Sequence, residues 1–290
     1  MKFGIFFAYW EKNWVGDYLR YLKKAKDIGL DVLEISPGSL LDMNCEQLTE
    51  IRRMSEDLGV ELSTNLGPPK QYDLSSSDAA VRAAGLDFQT RILDVMEQIG
   101  SRKLCGALHS CWPYDFIDLD KKARLDRGIE SISKLARRAE DKGIDLCIEI
   151  LNRFEDLALN TAQEGVDFVK SVDSPNAKIL LDTFHMNIEE NDIIEAIHIG
   201  GPYLGHVHVG ERNRRLPCAK SGSLDWAAIG RALNEENYKD YVVAEPFVTV
   251  GGQIAKDIKV WRDLSDNADE AKLDSDARAY VNFLREAFKA

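Results

Sequence analysis

Glu140-Asp-Lys-Gly-Ile-Asp-Leu-Cys-Ile-Glu-Ile-Leu-Asn152 is the stretch that decides the fold. An amphipathic run stops at Gly143, an apolar residue follows, and a β-branched run begins at once. A glycine placed this way reads as a helix C′ residue in the left-handed region. The same sentence occurs at Lys26-Asp-Ile-Gly29 before Leu-Asp-Val and at Glu56-Asp-Leu-Gly59 before Val-Glu-Leu. Working outward, strand-like runs recur at Lys2 to Tyr9, Asp31 to Ser36, Glu61 to Leu66, Lys103 to His109, Asp145 to Leu151, Lys178 to Phe184, Gly205 to Val209 and Tyr241 to Phe247. Helix-like segments separate them, with no linker or low-complexity break. Eight βα units without a GxGxxG turn predict an α/β fold of the closed (β/α)8 TIM-barrel type. Residues 1–290 are expected to form one such domain with a C-terminal helical tail.

In such barrels chemistry sits where strands end and βα loops begin. Four consecutive strand ends carry Glu149, Asp182, His208 and Glu245. A carboxylate in an apolar strand costs several kcal/mol of desolvation unless a cation or donors compensate it. By the period of two, all three carboxylates face the barrel mouth. There they would repel one another unless one is protonated or a divalent cation lies among them. An oxygen-rich set with one imidazole suits Mn²⁺, Mg²⁺ or Co²⁺ better than a thiolate zinc site does. A salt-bridged barrel carboxylate would explain any one of these residues, but not the four together.

Around such an ion, a substrate with adjacent carbonyl and hydroxyl oxygens has an acidified C–H bond. Glu149 and Glu245, from non-adjacent strands, could exchange a proton on opposite faces, which is epimerisation. A single base moving the proton between neighbouring carbons would give ketose–aldose isomerisation. His206 is expected to be a core or supporting residue and His198 a structural one. His109 and Trp112 fit rim contact and simple packing equally well. The loop from Gly210 to Gly222 holds Arg212, Arg214, Arg215 and Lys220, of which one guanidinium is expected to face substrate.

The charge pattern narrows the partners. Thirty-seven Lys+Arg against 49 Asp+Glu give a net charge of -12, and no basic stripe suits a nucleic-acid backbone or an anionic membrane. No apolar run reaches the roughly 20 residues of a membrane span. The first residues read as a strand and not as a secretory leader. Five cysteines, Cys45, Cys105, Cys111, Cys147 and Cys218, show no CxxC pairing. Reduced thiols and a cytoplasmic setting are expected.

At these residues the chain resembles the ketose 3-epimerase family, in its D-psicose (D-allulose) and D-tagatose 3-epimerase branches. The resemblance rests on Tyr9-Trp10-Glu11, Asp78 to Gly85, Gly106-Ala-Leu-His-Ser with Trp112-Pro113, Cys147 to Glu155, Leu181 to Glu190, Gly205-His-Val-His, Glu245-Pro-Phe247 and Ile258 to Asp263. It implies metal ligation by Glu149, Asp182, His208 and Glu245, one Mn²⁺ or Co²⁺ per subunit, and exchange of the C3 proton by Glu149 and Glu245. It further implies sugar contacts from Glu155, His185 and Arg214, and a wall of Phe6, Trp14, Gly67, Ala107, Trp112 and Phe247. Phe6 stands where many relatives have Tyr, Cys111 where Tyr is common, and Val209 where Thr is frequent. The Cys218 to Ser223 stretch is longer than the compact version of the loop. These departures bear on sugar preference and loop motion.

The expected activity is epimerisation of free ketohexoses at C3, D-fructose to D-allulose, through a metal-bound cis-enediolate. The expected assembly is a homo-oligomer, tetramer ahead of dimer. Rival readings are an epimerase preferring D-tagatose or L-ribulose, a sugar-phosphate or hydroxy-acid isomerase, an endonuclease-like barrel and a non-catalytic sugar-binding barrel.

Overall fold

The computed structural model describes residues 1–219 and 222–289. Parallel strands β1 (Lys2–Phe6), β2 (Val32–Ile35), β3 (Glu61–Asn65), β4 (Lys103–Gly106), β5 (Asp145–Glu149), β6 (Ala177–Asp182), β7 (Leu204–Val209) and β8 (Tyr241–Ala244) pair in sequence order. β8 pairs back onto β1 and closes the barrel. Between strands run α1 (Tyr18–Ile28), α2 (Cys45–Leu58), α3 (Ala79–Ile99), α4 (Lys121–Lys142), α5 (Ala162–Val172), α6 (Thr183–Glu189), α7 (Ile193–Gly200) and α8 (Trp226–Glu235). After β8 come α9 (Gly252–Ile258) and α10 (Glu270–Ala287), which packs between α8 and α1 in the outer ring. No helix among the described residues is long and apolar enough to cross a membrane.

The punctuating glycines do what their positions demand. Gly29, Gly59 and Gly143 close α1, α2 and α4 with φ of 93°, 64° and 61°, a region where a Cβ is strained. Each releases the chain directly into the next strand. At the other helix ends, Asp17, Asn44, Asp78, Asp120, Thr161, Asp225 and Asp269 accept from first-turn amides, each such cap stabilising by about 1 kcal/mol.

Alternation sorts the strand side chains into two cores. Outward residues such as Ile5, Leu33, Ile35, Leu104, Ile148, Ile179 and Val242 are buried against Leu22, Ile92 and Leu135 of the helices. At roughly 1.5–3 kcal/mol each, this layer holds the ring to the sheet. Inside the barrel, Cys105, Cys147 and Leu180 form a separate small cluster. Cys45, Cys105, Cys111 and Cys147 are free thiols.

The strands are shorter than the apolar runs predict. Residues Phe7–Tyr9 turn into a 3-10 helix, and β4 stops at Gly106, whose φ of 112° bends the chain. There a Cβ would meet the Leu66 carbonyl oxygen at 2.3 Å. The run expected to extend β6 through Phe184 becomes α6 at Thr183, because the Asp182 side chain caps that helix. The apolar residues beyond these ends belong to loops packed over the rim, so their hydrophobicity is no guide to where pairing stops.

Candidate active site

Four strand ends meet at the mouth. Glu149 and Asp182 are the last residues of β5 and β6, His208 lies in β7, and Glu245 follows β8 directly. All four are buried, and each offers a ligand atom within 4.8 Å of the others. Asp182 Oδ1 accepts from the Phe184 amide at 2.8 Å, which leaves its other oxygen to the cluster. His208 Nε2 is bonded to Glu34 Oε1 at 2.8 Å. Its Nδ1 has no hydrogen-bond partner among the described residues and lies 3.5 Å from Glu149 Oε1 and 3.9 Å from Glu245 Oε1. An orphaned buried nitrogen turned toward carboxylate oxygens is what a cation with bond lengths of about 2.1 Å would satisfy. The cluster could therefore hold a metal ion.

Its electrostatics support that fit. Burial, with Glu149 and Asp182 nearby, pushes the Glu245 carboxyl up to about 8 against the pull of His208 and Arg214. Burial opposes a charge on His208, yet Glu34, Glu245 and Glu149 raise its pKa well above the ordinary value. A divalent cation among these groups would relieve the crowding that raises both.

Above the cluster opens a cleft of about 530 Å³, within the usual range for a small-molecule site. Glu149 and Glu245 line it, whereas Asp182 and His208 lie behind them. Arg214, at φ 61°, turns into the site and donates to Glu245 Oε2 at 2.8 Å and to Glu155 Oε1 at 3.3 Å. Glu155 also accepts from Trp112 Nε1 and Asn152 Nδ2, both at 3.0 Å. Burial would raise the Glu155 carboxyl, but Arg214, His185 and these donors hold it down at about 2. His185 stands in the first turn of α6, not on a strand. Its Nδ1 accepts from the Asn152 amide at 3.1 Å, and its Nε2 lies 3.8 Å from Glu149 Oε1.

The remaining wall is aromatic. Trp14 meets Trp112 edge-on at 5.9 Å and Phe247 at 6.1 Å, and Phe6 meets Phe247 at 6.3 Å. Gly67 and Ala107 complete it. A Cβ at Gly67 would press Trp112 at 2.9 Å, so glycine sets the ring's position. The other arginines lie elsewhere: Arg215 pairs with Asp266 at 3.1 Å, and Arg212 is exposed. Lys220 and Ser221, within the longer loop, lie outside the described residues. His109 is a packing residue, bonded to Asp156 at 3.1 Å and set edge-on against Phe168. Burial pushes the Cys111 thiol up to about 12. His198, on α7, pairs with Glu236 at 2.7 Å.

Comparison with known proteins agrees with this fold. Residues 22–264 match the family of xylose isomerase-like TIM barrels. A D-psicose 3-epimerase of Agrobacterium fabrum is 48% identical over 286 residues, 98% of each chain. The crystal structure of a D-psicose 3-epimerase in the presence of D-fructose superposes with a TM-score of 0.97 at 47% identity, covering 100% of both chains. The chain belongs to the D-psicose 3-epimerase family. At lower identity, an L-ribulose 3-epimerase of Mesorhizobium japonicum is 33% identical over 264 residues, 90% of this chain and 86% of its own.

Three residues of the site are absent from the sequence reading. Glu34 supports His208, Asn65 Nδ2 donates to Glu245 Oε1 at 2.8 Å, and Asp257 on α9 accepts from Trp14 Nε1 at 2.8 Å. Glu34 carries a legible signal, since Val32-Leu-Glu-Ile35 is an apolar strand interrupted by a carboxylate, as at Glu149. Asn65 carries a weaker one, as an uncharged polar residue at the end of β3, and Asp257 carries none, because a carboxylate on a short helix is ordinary.

Proposed function

We propose that this protein is a divalent-metal-dependent 3-epimerase of free ketohexoses, interconverting D-fructose and D-psicose. The observation that carries the reading is the division of the ligand set. Of four clustered candidates, only Glu149 and Glu245 border the cleft, which makes them at once ligands and the groups in reach of a bound sugar. Mn²⁺ fits the oxygen-rich donors best, with Co²⁺ and Mg²⁺ as substitutes. When bound, the ion polarises the ketose carbonyl and the adjacent hydroxyl. One glutamate removes the C3 proton, leaving a cis-enediolate, and the other returns a proton to the opposite face. Arg214 holds Glu245 and Glu155 in place and offers positive charge to the developing oxyanion. Glu155 and His185 accept or donate to hydroxyls at the carbonyl end. Phe6, Trp14, Gly67, Ala107, Trp112 and Phe247 enclose the rest of the sugar.

Arg214 and Arg215 are already engaged by carboxylates, which counts against a phosphate cradle in this loop. The reading includes a cytoplasmic homo-oligomer, tetrameric or dimeric, without nucleic acid or membrane among its partners. Incubation with D-fructose and Mn²⁺ in deuterated water should yield D-psicose labelled at C3, and a chelator should stop the exchange. Label confined to C1 would mean aldose isomerisation and sink the proposal. Initial rates for D-tagatose and L-ribulose under the same conditions rank the sugars.

A further inference from the structure

Beneath the ligand set, the barrel holds an ionisable group that does not border the cleft. Glu34, in β2, is wholly buried. Its Oε1 bonds His208 Nε2 at 2.8 Å. Its Oε2 accepts from Ser63 Oγ at 2.9 Å and lies 3.1 Å from His206 Nε2. Burying a carboxylate so completely costs several kcal/mol, and an aliphatic side chain would fill the space without that cost. What only an acceptor can supply is an assignment of the imidazole proton. A neutral ring carries one N–H, and a carboxylate on Nε2 draws the proton there and leaves Nδ1 as a lone pair. That lone pair faces Glu149 and Glu245.

The geometry points to Glu34 as a positioning residue that fixes the tautomer and ring orientation in which His208 ligates a divalent cation. Ser63 holds the carboxylate from the neighbouring strand. His206 touches the same carboxylate from the other side but is not among the four clustered ligands, so it serves as the control. The inference rests on the metal site proposed above.

Titration calorimetry of Mn²⁺ into the metal-free protein tests it. Supporting groups of this kind change metal affinity by about 10- to 100-fold. E34Q, which keeps an acceptor oxygen but no charge, should bind about tenfold more weakly, and E34L, which keeps neither, about 100-fold. H206N should stay within about twofold of the parent, and at saturating Mn²⁺ E34Q should recover kcat to within about threefold with KM for D-fructose unchanged. Parental affinity in E34Q, an H206N loss equal to that of E34Q, or an E34Q kcat that excess Mn²⁺ cannot restore would each overturn the inference. If E34L does not fold, E34Q and H206N decide. A parent that binds no Mn²⁺ overturns the metal reading together with this one, whereas tight binding by parent and E34Q alike overturns this one alone.

Discussion

The two ends of the barrel treat buried charge in opposite ways. At the base, Lys103 is enclosed between Asp145 at 3.1 Å and Asp240 at 2.7 Å, over the Tyr241 ring. Burial would lower its pKa, yet these neighbours raise it, and Lys2 pairs with Glu61 beside it. Cations and anions there meet within the protein. At the mouth, Asp182, Glu245 and Glu155 gather around the Arg214 guanidinium, and Glu149 acts on it at longer range. The excess negative charge is left for something the chain does not supply. The base thus pairs its charges internally and the mouth could hold a cation, and the same strands carry both ends.

That contrast can be broken by experiment. E149Q or E245Q should reduce kcat on D-fructose by about 10³-fold or more, in the upper part of the range for general acid–base groups. Circular dichroism should show that each variant keeps the parental fold, so that the loss belongs to the chemistry. Near-parental turnover in either would remove that residue from the proton-exchange pair. The mirror experiment is K103M at the base. It strands two aspartates about a third exposed, so urea unfolding should show a loss of about 3 kcal/mol, while kcat/KM stays within about twofold. A K103M enzyme with parental stability but impaired turnover would erase the division between the ends.

A smaller effect belongs to the mouth side, next to Glu155 but outside the lining of the cleft. Asp156 is buried beside His109 and accepts from the amides of Ala158 and Leu159 at 3.0 and 3.1 Å. Burial would raise its pKa, but His109 and these donors hold it at about 2, below the ordinary aspartate range. A depressed folded-state pKa stabilises fully above the unfolded value and is lost as pH falls through the folded one. The stability difference between parent and D156N should therefore shrink by about 2 kcal/mol from pH 5 to pH 2. Parallel stability curves for the two proteins would show that Asp156 is not held ionised.

Much of this was open to inspection in the chain itself. Gly29, Gly59 and Gly143 mark helix ends because a left-handed φ is a local demand that glycine meets. Glu149, Asp182, His208 and Glu245 stand out because a charged or polar residue in an apolar strand contradicts its surroundings. Strand ends were less legible. Phe7, Leu108 and Phe184 are as apolar as strand residues, but they pack in rim loops and helices, and period-two patterning does not distinguish those settings. His185 illustrates the point, since the cap at Asp182 moves it onto a helix turn and aims it at Glu149.

The sequence by itself determined the βα alternation, through it the barrel class, and the four strand-end candidates, because helix-ending glycines, period-two patterning and a polar residue in an apolar run are each legible within a few residues. Only the tertiary structure decided that Arg214 and not Arg215 enters the site, that Asn65 holds Glu245, and that Glu34 stands behind His208 across 174 residues of chain. The physical reason is that a hydrogen bond is chosen by distance and direction in space. Barrel closure brings β2 and β7 to that distance, and nothing in either strand alone records it.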